Sequence, residues 1–134
     1  MEYFVFKVRD RYFAIGAHYV YRIVDDLMVT PVPLLPACYE GLSYYRGELF
    51  DVVNADIIVG KEKEASKKSA YIILLKWDQH NLGLIPDHIV GLKWIDEENP
   101  QETDLMVDGL LVKVVTPEAV WQSISGMDYG PEKI

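Results

Sequence analysis

Gly41-Leu42-Ser43-Tyr44-Tyr45-Arg46-Gly47-Glu48-Leu49-Phe50-Asp51-Val52-Val53-Asn54 is the most informative stretch of the chain. Two glycines bracket a pair of tyrosines and an arginine, and an apolar run follows from Leu49 to Val53. Aromatic and β-branched side chains pack well on a pleated surface, so that run reads as a strand. Arginine and tyrosine dominate the energetics of protein–protein contacts, which makes Arg46, between Tyr45 and Gly47, an exposed recognition point. An equally good reading makes Gly41 and Gly47 turn residues, buries Tyr44 and Tyr45, and pairs Arg46 with a nearby carboxylate. Spacing alone does not choose between the two.

Outward from this stretch, most apolar segments are short and bounded by turn formers. Phe4 to Val8 and Tyr12 to Ile15 read as strands joined by a tight connection at Arg9-Asp10-Arg11. Val20 to Val29 reads as an extended segment stopped by Pro31, Pro33 and Pro36, which cannot donate to a sheet ladder. Further strands are expected at Ala70 to Trp77, Leu82 to Ile85 and Gly91 to Ile95. Leu105 to Val107 and Leu110 to Val115 flank Asp108-Gly109, a strong two-residue hairpin signal. Two helical pieces interrupt the pattern. Thr116-Pro117-Glu118 combines an N-cap with proline at the first helical position, and Asn54 to Gly60 is a short turn between an Asn cap and a Gly stop. Lys61 to Lys68 has no apolar anchor and reads as a solubilising loop. About nine strands imply an all-β sandwich or barrel.

A chain of 134 residues makes one compact domain, or two small lobes around one core. Folding at that size removes roughly two-thirds of the unfolded surface from water, enough for a stable core. The single cysteine, Cys38, allows no internal disulfide and reads as a buried small residue. The formal charge is -8, which disfavours nucleic acid and anionic membranes as partners. That charge is localised. Asp96 to Asp108 carries six acids and no base, whereas the remainder is close to neutral. The acidic segment reads as a solvated loop. Charges at Glu2 and Lys7 break any secretory apolar region, and no apolar run approaches the roughly 18 residues of a spanning helix. A soluble intracellular protein is expected.

Catalytic and metal signatures are missing. His18, His80 and His88 make no paired-ligand spacing, and one cysteine cannot build a zinc ribbon. Asp78 with His80, and Asp87 with His88, are the close acid–imidazole pairs, but neighbours on a strand face opposite ways. No serine sits in a nucleophile elbow, and no glycine-rich phosphate loop is present. No enzyme activity, metal or cofactor is expected, and a binding module is the better reading. Trp77, Trp94 and Trp121 are expected to fill the space between lobes.

Gly41-Leu42, Arg46-Gly47, the following apolar strand and the capping residue together resemble the hallmark segment of the CheW-like chemotaxis coupling proteins. Upstream, Phe4 to Val8, Tyr12 to Gly16, Val20 to Val24 and Thr30-Pro31-Val32-Pro33 follow the order of that family. Downstream, Tyr71 to Leu75, Gly83-Leu84-Ile85-Pro86-Asp87-His88-Ile89-Val90 and Leu110 to Val115 are similar to its second half. Tyr44 and Tyr45 stand where the family usually has an amide and an aliphatic residue, and Asp51 replaces a customary proline. Asn54 and Thr116 replace aspartates but keep the capping role. The chain resembles a divergent, compact member.

The resemblance implies two small SH3-like five-stranded β-barrels packed through a shared hydrophobic core. It implies lobes at 12–68 and 69–124, with the N-terminal strand 3–8 exchanged between them. It implies a non-catalytic adaptor that couples the cytoplasmic signalling tip of chemoreceptors to the regulatory domain of a CheA-type histidine kinase, in the cytoplasm at receptor clusters. Arg46, Gly47, Tyr45 and Tyr44 match the receptor-contacting segment between the lobes, whereas the kinase-binding patch is not assignable. Neither nucleic acid nor membrane insertion is implied. Two alternatives stand beside it. One is a CheW-like adaptor for pilus motility or another output. The other is a small-barrel nucleic-acid-binding module, which would need a basic face with interleaved aromatics.

Overall fold

A computed structural model describes residues 1–32, 38–60, 70–96 and 104–125. Among them are ten strands: β1 (Glu2–Val8), β2 (Arg11–Gly16), β3 (Val20–Asp25), β4 (Tyr39–Tyr45), β5 (Glu48–Asn54), β6 (Tyr71–Trp77), β7 (His80–Ile85), β8 (His88–Trp94), β9 (Asp104–Val107) and β10 (Leu110–Val114). One α-helix, α1 (Pro117–Ser125), follows them, and 3-10 turns occupy Ala17–Tyr19 and Ala55–Val59. The Lys61 to Lys68 loop, Pro33, Pro36 and residues 97–103 of the acidic segment lie outside the described residues.

The strands form two five-stranded sheets, ordered β8-β1-β2-β10-β9 and β3-β6-β7-β5-β4. The mostly β, two-sheet architecture agrees with the sequence. Closure into barrels does not appear in the pairing, because β8 and β9 end the first sheet and β3 and β4 end the second. The edges nonetheless approach one another. Lys93 of β8 reaches Asp108 beyond β9 at 3.4 Å, and Thr30, beyond β3, exchanges backbone hydrogen bonds of 2.7 and 2.9 Å with Leu42 of β4. Twist rolls each sheet, and single contacts stand where a closing ladder would be.

Neither sheet is a contiguous half of the chain. The first takes β1, β2, β8, β9 and β10, and the second takes β3 to β7. A division at 12–68 and 69–124 therefore cuts across both sheets. The tight β1–β2 hairpin keeps β2 with β1, and β6 and β7 remain with β3 and β5. The N-terminal strand 3–8 stays in the first sheet, between β2 and β8.

Three apolar clusters follow from strand alternation. Phe4, Phe6, Val8, Phe13 and Ile15 of the first sheet meet Val53, Ile73, Leu75, Leu82 and Leu84 of the second, and Val120 and Ile124 of α1 join them. Tyr3, Val5, Ala14 and Val112 pack inside the first sheet, while Phe50, Val52, Ile72 and Leu74 pack inside the second. β1 and β6 thus bury both faces over Tyr3 to Phe6 and Ile72 to Leu75, which explains why those runs are apolar rather than alternating. Trp77 and Trp121 pack against the central cluster as expected. Trp94 does not fill the space between sheets; it lies on the edge strand β8 and is 72 % exposed.

Local signals were largely legible. Asp108-Gly109 turns with φ of 50 and 81°, and Asn54 caps its 3-10 turn by accepting from the Asp56 backbone at 3.0 Å. Gly60 stops that turn in the left-handed region. The Val20 to Val29 expectation runs too long: β3 ends at Asp25, and Asp26 takes a positive φ of 53°.

Candidate functional site

The Gly41 to Asn54 stretch folds as a hairpin of β4 and β5, with Tyr44 opposite Leu49 and Tyr45 opposite Glu48. Its two-residue turn is Arg46-Gly47, with φ of 50 and 82°. Positive φ at both central residues matches the twist of the flanking strands, and glycine adopts it without steric cost. Gly47 is therefore a turn glycine. Gly41 is not. It lies inside β4 at a register shift, with φ of 139°, and a Cβ there would stand 2.1 Å from the Thr30 carbonyl oxygen.

That close approach lets the 26–32 segment lie along β4. The Thr30–Leu42 bridge fixes it on one side, and the buried Ser43 hydroxyl donates to the Met28 carbonyl on the other. Between the segment and the hairpin lies an apolar groove of about 470 Å3, lined by Leu27, Met28, Thr30, Leu42, Ser43, Tyr44 and Leu49. None of these side chains carries a formal charge. Met28 is 82 % exposed and Tyr44 70 %, so large apolar surface faces water beside the groove.

The two tyrosines separate by alternation. Tyr44 lies outside, while Tyr45 is half-buried against the cluster within the second sheet, edge-on to Tyr21 at 6.1 Å. Arg46 is exposed at the turn with its guanidinium 5.4 Å from the Tyr45 ring centroid. Arg46 and Tyr44 are thus exposed, whereas Gly47 is a turn residue and Tyr45 is half-buried. These contacts lie within the second sheet, at its end, whereas the resemblance places the segment between the lobes. Asp51, on β5, accepts a hydrogen bond from the Tyr39 hydroxyl, and burial holds its carboxyl above the usual range. Cys38 is buried in the central cluster, and desolvation pushes its thiol up.

The acid–imidazole pairs have other surroundings. The His80 ring lies 5.1 Å from Trp77 and 5.3 Å from Trp121, and Asp87 accepts from the Arg9 backbone N–H. Among the described residues, no cluster of three or more His, Cys, Asp or Glu could hold a metal ion. No described helix is long and apolar enough to cross a membrane.

Comparison with protein families matches residues 2–122 to the CheW-like domain. The chain belongs to the CheW-like domain family. Its fold is similar to that of the scaffolding protein TtCheW from Thermoanaerobacter tengcongensis, with a TM-score of 0.73 at 22 % identity over 84 % of this chain and 86 % of that one. No curated protein matches the chain. Membership and the shared fold make this a β-rich CheW-like domain.

For this CheW-like domain, the sequence shows the second strand of the hairpin and its turn glycine but neither β4 nor the groove. Leu27 and Met28 fall within the expected Val20 to Val29 strand, although Asp25-Asp26 ahead of them is a poor strand continuation. Leu49 belongs to the apolar strand as expected, yet it is 41 % exposed, because alternation turns it to the face opposite the buried Phe50.

Proposed function

We propose that this CheW-like domain is a non-catalytic chemosensory adaptor in the cytoplasm, holding chemoreceptor signalling tips and the regulatory domain of a CheA-type histidine kinase in register. The observation that carries the reading is the uncharged groove beside the Arg46-Gly47 turn. An amphipathic helix that lays its apolar side chains into such a groove is a recurrent recognition mode, and a receptor's cytoplasmic hairpin presents such helices. Tyr44 and Met28 supply large apolar contacts, and Arg46 and Gly47 set the end of the surface. The kinase needs a separate surface. Val90, Leu92 and Trp94 project from the edge strand β8, in the first sheet, and offer apolar contact away from the hairpin.

Co-purification of the full chain with the kinase and with a receptor signalling fragment of the same organism tests both halves. Leu49→Asp places a charge at the groove and should reduce receptor capture at least tenfold, a change of about 1.4 kcal/mol, while kinase capture persists. Trp94→Ala should do the reverse. Receptor capture that survives both Leu49→Asp and Arg46→Glu would reject this site, and failure of the wild-type chain to capture either partner would reject the adaptor. Swimming and twitching assays of a deletion strain separate flagellar from pilus output.

A further inference from the structure

One end of the second sheet gathers cations on aromatic rings, in a chain whose formal charge is -8. The start of β3, the end of β4, the start of β5 and the end of β6 all lie there. Tyr21 stands at the register shift of β3, stacked 6.2 Å from Phe50 and edge-on to Tyr45. The Lys76 ammonium lies 4.8 Å from the Tyr21 centroid and the Arg22 guanidinium 5.3 Å from it, while Arg46 covers Tyr45 at 5.4 Å. Glu48 is held by Lys76 at 2.5 Å, and Asp78 belongs to the neighbouring β6–β7 turn. Arg22 and Arg46 are exposed and make no ion pair with a described residue.

We propose that Arg22, Arg46 and Lys76, carried on Tyr21 and Tyr45, form a receiving surface for an acidic peptide segment of a partner protein. Rings beneath the two guanidinium groups restrict them, so less side-chain freedom is lost when a carboxylate binds. A guanidinium accepts a carboxylate through two parallel hydrogen bonds, and two such groups near one ammonium suit successive acidic side chains. The acidity of the whole molecule selects among anions. Nucleic acid or an anionic membrane is repelled over long range by the net charge, whereas a short segment with a few carboxylates meets mainly the local cations. This surface shares Arg46 with the proposed receptor site and rests on the reading of that hairpin as a docking site. It adds the sign of charge that the partner must carry beside its apolar face.

The probe is a fluorescein-labelled peptide alternating Glu and Leu, titrated with the full chain by anisotropy at low and at moderate salt. Binding should weaken about tenfold on raising the salt, and again about tenfold in Arg22→Glu. Arg22→Lys keeps the charge but loses the two-pronged contact, so it should bind between wild type and Arg22→Glu, and thermal melts of each variant check the fold. Salt-independent binding, or equal binding by Arg22→Glu of unchanged melting temperature, would overturn the proposal. So would equal retention of duplex DNA or anionic vesicles, or low-salt self-association abolished by Arg22→Glu, which would make the chain's own acids the ligand. Receptor capture kept by Arg22→Glu but lost in Leu49→Asp would overturn the acidic surface alone and leave the adaptor standing.

Discussion

Gly41 and Gly47 look alike in the sequence and do different work. Gly47 has a φ of 82° with open space where a Cβ would point, so only backbone conformation opposes a side chain. Gly41 has a φ of 139°, and a Cβ would also collide with the Thr30 backbone. Gly47→Ala should therefore cost about 1 kcal/mol and Gly41→Ala about 3 kcal/mol, read by urea denaturation. Equal costs would show that the Thr30 segment gives way freely. Gly41→Ala should also weaken receptor capture without touching the partner, because it displaces one wall of the groove. Arg46 stood out in the sequence as a candidate because arginine and tyrosine dominate protein–protein contacts, but its exposure was open until the turn was placed. Met28 did not, since Leu27-Met28 after two aspartates carries no periodic signal; the Thr30–Leu42 bridge and the Ser43 hydroxyl bond to the Met28 carbonyl lay that segment along β4.

Elements were legible wherever a local rule fixes them. The α1 start is an example: Thr116 accepts from the Ala119 backbone N–H at 3.2 Å, with Pro117 next in the chain. Thr116→Ala should lower stability by about 1 kcal/mol, and Thr116→Asp, which restores the family's usual residue, should retain it. Circular dichroism during thermal unfolding checks both. No loss in Thr116→Ala would mean that packing of Val120 and Ile124 alone holds the helix. Less local elements were missed. β4 escaped because a glycine within it reads as a turn, and the turn between β6 and β7 uses Asp78-Gln79 with φ of 41 and 66°, lacking the glycine that announces such turns.

At the scale of the whole molecule, the sheets are joined by a buried charge as well as by the central apolar cluster. Arg9, in the β1–β2 turn of the first sheet, lies 3.5 Å from Asp56, in the 3-10 turn that follows β5 of the second. The Asp56 side chain is fully buried, so removing its cation leaves a charge in low dielectric. Arg9→Met should cost about 3 kcal/mol, and Arg9→Met with Asp56→Asn should recover part of it. Purely additive losses in this cycle would show that the two groups do not couple. Neither residue stands out in the sequence, where they are 47 positions apart. The amino-acid sequence alone determined what depends on near neighbours: a β-rich class, the β1–β2 and Asp108-Gly109 turns, the capped turns and the family likeness. Only the tertiary structure decided what depends on distant ones. It assigned β2 to the first sheet and β6 to the second, left the sheets unclosed by pairing, formed the groove, and brought Tyr21, Arg22 and Lys76 to the Arg46-Gly47 turn. Strand alternation says which side chains share a face, but not which strand lies beside it, because pairing partners are chosen by burial across the whole chain.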